Sequence, residues 1–276
     1  QQQQLESPMR GESNDRIRRA AAWLVTQHLR RAQSRPMPAA FAPRDLGEAY
    51  AIQDAFADLK SGACGRVAGY KIALTTPQMR ALVGLGDSIA GCLHARQVVG
   101  APARVRAADY GRLLVEFEIA FRIGADLPAR EGPFAPAELA EVVCEAMPAF
   151  ELADDRGADY ATLARRGLEL AADNAWNEGA VLGAPVGDWR ALDLAALRGV
   201  AYVNGQAVGE GRGADTLGHP LAALAWIANH LASRGRRLRE GDVVITGSLV
   251  TSKFPRAGDV LRFEAGALGA LELRVT

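Results

Sequence analysis

The apolar positions of the chain fall into two textures. From Asn14 to about Arg31, the residues Ile17, Ala20, Ala21, Leu24, Val25 and Leu29 recur at intervals of three and four, which predicts an amphipathic helix with Ser13 or Asn14 as N-cap. A second helix is predicted from about Leu46 to Leu59, capped by Asp45, stopped near Gly62, and apolar along Ala49, Ile52, Ala55, Phe56 and Leu59. After Gly65 the pattern changes to short β-like runs around Val67–Leu74, Leu113–Ile123, Ala149–Leu152, Val200–Asn204, Val243–Thr246, Val260–Ala265 and Ala270–Val275, punctuated by Gly and Pro. Three helices interrupt these runs: Pro136 to Ala146, Leu168 to Asn174, and His219 to Ser233, the last with Pro220 in its first turn and Gly235 beyond its end. The alternation is too irregular for a (β/α)₈ barrel, and no strand is followed by Gly-x-Gly-x-x-Gly. Gly209, Gly211 and Gly213 read as a flexible connection, one placed to cover a site. The expected organisation is a disordered tail over 1–13, a helical N-terminal portion over 14–64, and a β-rich domain over 65–276 that carries the chemistry.

Composition narrows the function classes. A chain of 276 residues with 49% hydrophobic content can bury a full core. Lys plus Arg equals Asp plus Glu at 32 each, so no basic field attracts nucleic acid. No run approaches the roughly 18 apolar residues of a membrane span. Cys64, Cys92 and Cys144 are odd in number and far apart, which argues against a disulfide framework or zinc knuckle and for buried reduced thiols. The polar start, Gln-Gln-Gln-Gln, has no initiator Met; a cytoplasmic location is expected, or a periplasmic one if a signal peptide was removed before Gln1.

Two acids interrupt the run Leu-Leu-Val-Glu-Phe-Glu-Ile-Ala-Phe. Side chains alternate along a strand, so Glu116 and Glu118 share one face, roughly 7 Å apart, while Val115, Phe117, Ile119 and Phe121 share the other. Either that face is an edge in solvent, or the pair shares a proton or a cation. Glu151, alone in the apolar run Pro-Ala-Phe-Glu-Leu, strengthens the second reading: three carboxylates on adjacent strands make an oxygen set suited to Mg2+ or Mn2+. His28, His94, His219 and His230 have no metal-ligand spacing, and His28 and His230 read as ordinary helix residues. Lys71 is a lone cation in Gly-Tyr-Lys-Ile-Ala-Leu; it faces carboxylates or an anionic substrate, unless it is a strand-end lysine reaching water. Asp173 and Asn174 either offer hydrogen bonds to a ligand or cap a helix. Thr246-Gly247-Ser248 either presents backbone N–H groups and a hydroxyl to a carboxylate or is a plain turn.

In order, Gly69-Tyr70-Lys71-Ile72-Ala73-Leu74-Thr75, Val115 to Phe121, Pro148-Ala149-Phe150-Glu151-Leu152 with Asp154 and Arg156, Asp173-Asn174-Ala175, and Thr246-Gly247-Ser248 with Gly258-Asp259 resemble the hydratase and decarboxylase branch of the fumarylacetoacetate hydrolase superfamily. The resemblance spans about residue 14 to the end. It implies an α+β fold, a mixed β-sandwich roll with a small helical N-terminal portion, and a homo-oligomer, with a related decarboxylase as the candidate partner. It implies Mg2+ or Mn2+ on Glu116, Glu118 and Glu151, catalytic roles for Lys71, Asp173 and Ser248, and substrate contacts from Leu74, Asn174, Thr246 and Gly247. The implied reaction is hydration of a small 2-hydroxy-2,4-dienoate to a 4-hydroxy-2-ketoacid in aromatic catabolism, with Lys71 stabilising oxygen charge or shuttling a proton, a task that a pKa lowered by desolvation would suit. Decarboxylation of a 2-oxo-3-enedioate and acylpyruvate hydrolysis are the enzyme alternatives; Gly247-Ser248-Leu249, in place of the Gly-Thr-Pro of the hydrolases, disfavours the last. A catalytically silent partner subunit or ketoacid-binding protein is the alternative of another class. One departure motivates it: Ile89 stands where hydratases of this branch carry an acid, with Asp87 or His94 as substitutes, although His94 reads more simply as solvent-exposed.

Overall fold

The computed structural model describes residues 8–276. Helix α1 (Pro8–Leu29) begins within the segment expected to be a tail, so Ser13 and Asn14 lie inside it rather than capping it; residues 1–7 are outside the described residues. Residues 10–15 of this helix are polar or glycine and bury little, which is why apolar spacing does not reveal its start. Helix α2 (Leu46–Cys64) is capped as expected, with Asp45 accepting from Glu48 N at 2.8 Å. It runs through Gly62, whose surroundings are open, and ends at Gly65 with φ +83°. The two helices pack through Ala20, Ala21 and Leu24 against Ile52 and Phe56, all buried.

Along the rest of the chain come β1 (Val67–Ala73), α3 (Pro77–Val83), β2 (Ile89–His94), β3 (Val98–Gly100), β4 (Ala103–Val105), β5 (Leu113–Ile123), α4 (Pro136–Val142), β6 (Val143–Asp154), α5 (Gly167–Ala172), β7 (Asn177–Leu182), β8 (Arg198–Val203), β9 (Gln206–Arg212), α6 (Pro220–Ser233), β10 (Val243–Ser248), β11 (Val260–Ala265) and β12 (Ala270–Val275). They form a seven-stranded sheet, β2-β1-β10-β5-β6-β7-β3, and a five-stranded sheet, β4-β12-β11-β8-β9. Both are mixed: β1 runs parallel to β10, β3 to β7 and β4 to β12. This is the α+β, two-sheet architecture that the sequence predicts.

The sheets meet through the odd positions of β5. Phe117 is fully buried and packs edge-on against Phe150 of β6 at 5.6 Å and Phe263 of β11 at 5.7 Å. Each such ring contributes roughly 2–3 kcal/mol by burial, with about 1 kcal/mol more from each edge-to-face contact. The even positions point the other way, where Ala120, Met147, Ala149 and Ile245 form a second buried apolar cluster. Glu116, Glu118 and Glu151 continue that face.

Several elements differ from expectation. The run at 149–152 is the centre of the much longer β6, and the helix expected to reach Ala146 stops at Val142 because β6 begins pairing with β5 there. Helix α3 and strands β2, β3, β4, β7 and β9 go beyond what the sequence pattern predicts, being short or, in β7, bent around Gly179 at φ +124°. The glycines at 209–213 are no flexible cover. Gly209 and Gly211 lie in β9, and a Cβ on Gly211 would come 1.7 Å from the Leu249 carbonyl oxygen, as one on Gly213 would from that of Leu194. Gly211 and Gly213 are glycine because backbone runs against backbone, and Gly209 because the Val250 side chain lies over it. Of the three free cysteines only Cys92 is buried; Cys64 is half-buried and Cys144 exposed. No helix among the described residues is long and apolar enough to cross a membrane.

Candidate metal centre and substrate cavity

Glu116 on β5 stands directly opposite Glu151 on β6, and Glu118 follows on the same face. One carboxylate oxygen from each of the three lies within 4.8 Å of the others. Glu118 and Glu151 are 0% and 1% exposed, which removes the reading of an acidic edge in solvent. Neighbours hold one side of each group. Gly247 N donates to Glu118 Oε1 at 2.6 Å, Ser252 Oγ to Glu116 Oε1 at 3.0 Å, and Asn177 Nδ2 to Glu151 Oε2 at 2.8 Å. Lys71 Nζ is 3.1 Å from Glu151 Oε2. Glu118 Oε2 and Glu151 Oε1 are buried with no donor at all.

The charges are correspondingly strained. Burial, followed by the charge of Glu151, pushes the Glu116 carboxyl up to about 7, and burial with the Glu151 and Glu116 charges raises Glu118 well above the ordinary carboxylate range. Lys71 corrects the sequence reading: burial works against its ammonium, but Glu151, Glu116 and Glu118 together outweigh it, so its pKa is raised rather than lowered. Three carboxylates against one ammonium, with two oxygens left without donors, are an all-oxygen set that fits a hard divalent cation such as Mg2+ or Mn2+.

Above Glu116 and Lys71 opens a cavity of about 130 Å³, which Leu74, Gly247, Ser248 and Ser252 also line. Leu74 adopts φ +63°, and its carbonyl accepts from Ser88 Oγ at 3.0 Å and Arg80 Nη1 at 3.1 Å. Backbone strain of this kind in a bulky residue is held by its surroundings and gathers at functional sites. Ser248 lines the cavity while its hydroxyl accepts from Phe117 N at 3.1 Å. Gly247, at φ +105°, turns its N–H onto Glu118 rather than into the cavity.

Three of the expected residues stand apart. Thr246 is fully buried with its hydroxyl on the Ile119 carbonyl at 2.7 Å. Asp173 is held between His28 Nε2 at 2.6 Å and Arg156 Nη2 at 2.9 Å; burial alone would raise its pKa, but these two cationic partners hold it below the usual range. Asn174 accepts from Cys92 N at 2.7 Å and donates to Cys92 O at 3.0 Å, clamping β2. None of the three lines the cavity. Asn174, Ala175 and Trp176 are successive left-handed residues, φ +55°, +48° and +64°, and this turn brings the Trp176 ring to the cavity wall, stacked on Tyr160 at 6.0 Å.

The substitutes for the acid absent at position 89 are also elsewhere. Ile89 is fully buried in the core. Asp87 accepts from Ser88 N and Trp226 Nε1 and does not line the cavity. His94 is not exposed but wholly buried, its Nδ1 2.9 Å from the Gly65 carbonyl. Sequence reasoning missed His28, Asn177, Ser252, Tyr160 and Trp176. His28 carried a signal, since it follows Ala21 and Leu24 on the buried face of α1; Ser252 carried none, lying in an irregular loop beyond β10.

Residues 80–276 match the family described as "Fumarylacetoacetate (FAA) hydrolase C-terminal". A 2-keto-4-pentenoate hydratase of Paraburkholderia phymatum is 34% identical over 86% of this chain and 88% of its own length. A 2-hydroxyhexa-2,4-dienoate hydratase of Comamonas testosteroni is 31% identical over 83% and 86%. Among solved structures, 4-oxalocrotonate decarboxylase from Pseudomonas putida G7, complexed with magnesium and adipate, superposes with a TM-score of 0.86 at 24% identity, covering 95% of this chain and 98% of that one.

Proposed function

This chain belongs to the fumarylacetoacetate (FAA) hydrolase C-terminal family, and from that premise we propose that it is a divalent-metal-dependent hydratase, adding water to a small 2-hydroxy-2,4-dienoate to give a 4-hydroxy-2-ketoacid. The observation that carries the reading is the buried acidic triad with its two donor-less oxygens, set beside Lys71 at one end of a cavity. Glu116, Glu118 and Glu151 would hold Mg2+ or Mn2+. The ion, when bound, supplies a Lewis acid for the carboxylate and 2-oxygen of the substrate.

The chain's own groups supply the rest. Lys71, 3.1 Å from Glu151 and lining the cavity, faces the head of the substrate as a positive charge and as the proton donor at its 2-oxygen. Gly247 and Asn177 hold one oxygen each of Glu118 and Glu151, which leaves the donor-less second oxygens available to an ion. Ser248 and Leu74 shape the floor, while Thr246 ties β10 to β5 and Asn174 clamps β2 beside β1. Asp173 acts as a positioning residue through the turn that carries Trp176. The apolar wall excludes bulk water, which keeps the charges of this end effective.

The test follows the ultraviolet absorbance of freshly generated 2-hydroxypenta-2,4-dienoate with added Mg2+ or Mn2+ and with EDTA, and identifies the product. Metal-dependent conversion to 4-hydroxy-2-oxopentanoate supports the proposal. Loss of CO2 from an enedioate without hydration, or no conversion by metal-loaded protein, overturns it.

A further inference from the structure

Beside the cavity runs a series of planar groups that the proposed reaction does not use. The Trp176 ring on the cavity wall stacks on Tyr160 at 6.0 Å, with 16° between the planes. The guanidinium carbon of Arg112 lies 5.6 Å from the centre of the Tyr160 ring and 4.8 Å from that of Phe254. Arg112 directly precedes β5, the strand that carries Glu116 and Glu118.

One buried carboxylate orders the series. Asp155 is 0% exposed and accepts from Arg112 Nε at 2.8 Å and Nη2 at 2.6 Å, from the Tyr160 hydroxyl at 2.9 Å and from Gly157 N at 2.9 Å. Arg112 Nη2 also donates to the Ala158 carbonyl at 3.2 Å. A guanidinium held through two of its nitrogens has a fixed plane, and that plane sets where the two rings can rest against it.

Phe254 ends the segment that reaches the acidic centre. Leu249 N donates to the Phe117 carbonyl at 2.8 Å, and Lys253 exchanges two backbone hydrogen bonds with Val115 at 3.0 Å and 2.9 Å, so residues 249–253 run on beside β5 after β10 has ended. Between these anchors Ser252 Oγ donates to Glu116 Oε1 at 3.0 Å, the one hydrogen bond that this carboxylate accepts among the described residues. Arg112, Tyr160 and Phe254 are all more than a third exposed, so they bury little apolar area where they meet. Their effect is on what they hold in place.

We infer that Arg112 is a positioning residue for the cavity. Through Phe254 it keeps Ser252 on Glu116, and through Tyr160 it keeps the Trp176 ring at the wall, so one guanidinium sets both the acidic head and the aromatic side. The inference rests on the proposed function for the part Glu116 plays in holding an ion.

Removing the cation outright would leave Asp155 buried and short of donors, which endangers the fold. The test therefore uses Arg112→Lys, which keeps a charge beside Asp155 but has neither the fork nor the planar face, and Phe254→Leu, which leaves Asp155 untouched. Isothermal titration of metal-free protein with Mg2+ and with Mn2+ gives the affinities, and far-ultraviolet circular dichroism checks the fold. Each variant is expected to bind about tenfold more weakly than the parent, as is Ser252→Ala. The double variant of Arg112→Lys with Ser252→Ala is expected to lose about tenfold in all rather than about 100-fold, because both changes act through one hydrogen bond. The near-ultraviolet dichroism of Trp176, identified by its loss in Trp176→Phe, is expected to weaken in Arg112→Lys and to persist in Ser252→Ala. An Arg112→Lys protein that binds both ions as the parent does, losses that multiply in the double variant, or an unchanged Trp176 signal overturns the inference alone. A parent that binds neither ion removes the metal reading and the inference together. The expected affinities in a protein that leaves the five-carbon dienoate unhydrated remove the proposed reaction alone.

Discussion

His28 Nε2 lies 2.6 Å from Asp173 Oδ1, tying the N-terminal helix to the turn that delivers Trp176 to the cavity. Arg156 holds the other oxygen of Asp173, and Glu178 approaches the second ring nitrogen of His28 at 3.3 Å. Burial opposes the imidazolium, but these carboxylates prevail and push the His28 pKa up to about 9.

A pH dependence of known sign follows. A folded-state pKa near 9, above an unfolded value of about 6.5, means His28 stabilises fully below pH 6.5 and loses that contribution as pH rises through 9. Asp173, depressed in the fold, loses its share only in acid. His28→Ala is therefore expected to cost most near pH 6, on the order of 3 kcal/mol, and least above pH 9. Urea denaturation across that range checks it; a cost independent of pH would leave only the packing of the ring on Phe56.

Glu118→Gln should move stability and metal binding in opposite directions. The substitution removes a buried charge that burial and two neighbouring carboxylates already disfavour, so metal-free protein should melt higher. It also removes an oxygen from the set, and Mg2+ or Mn2+ affinity should fall by about 100-fold, with activity following. Calorimetry with and without metal measures both; unchanged metal affinity would remove Glu118 from the ligand set.

Ile89→Asp should not raise the rate of the proposed hydration. The side chain is fully buried in the apolar core, so an aspartate there is expected to cost about 3 kcal/mol or more without reaching the cavity. A folded variant with raised turnover would contradict this placement.

Gly211→Ala is expected to destabilise by more than about 2 kcal/mol, since its Cβ would overlap the Leu249 carbonyl. Gly187→Ala, in open space, should stay within about 0.5 kcal/mol of the parent. Equal melting temperatures for the two would mean that β9 yields as a loose loop does.

The legible parts of the sequence were those where a local rule and the tertiary structure agree. Glu116 and Glu118 announce themselves because two acids in a β-period run demand compensation, and Lys71 and Glu151 do so for the same reason. What stayed hidden depends on partners far along the chain. Asp173 looks like a catalytic acid in isolation, and only the fold puts His28 and Arg156 against it. Gly211 looks flexible until Leu249 is placed upon it. Likewise β2 and β7 are too short to outweigh turn signals at Gly91 and Gly179, and become strands by pairing with β1 and β6.

Strand β10 lies inside the large sheet, between β1 and β5, although it is made long after both. On the ribosome, Lys71 and the glutamates emerge early but wait on opposite sides of an open seam until residues 243–248 are translated and inserted. Ile245 then closes against Lys71, and Gly247 reaches Glu118. Such distant pairing makes for slow folding, and a half-made chain presents two unpaired strand edges to its neighbours. Completion of the acidic centre is thereby coupled to near-completion of synthesis: a chain interrupted before this strand is expected to be a client for chaperones or proteases.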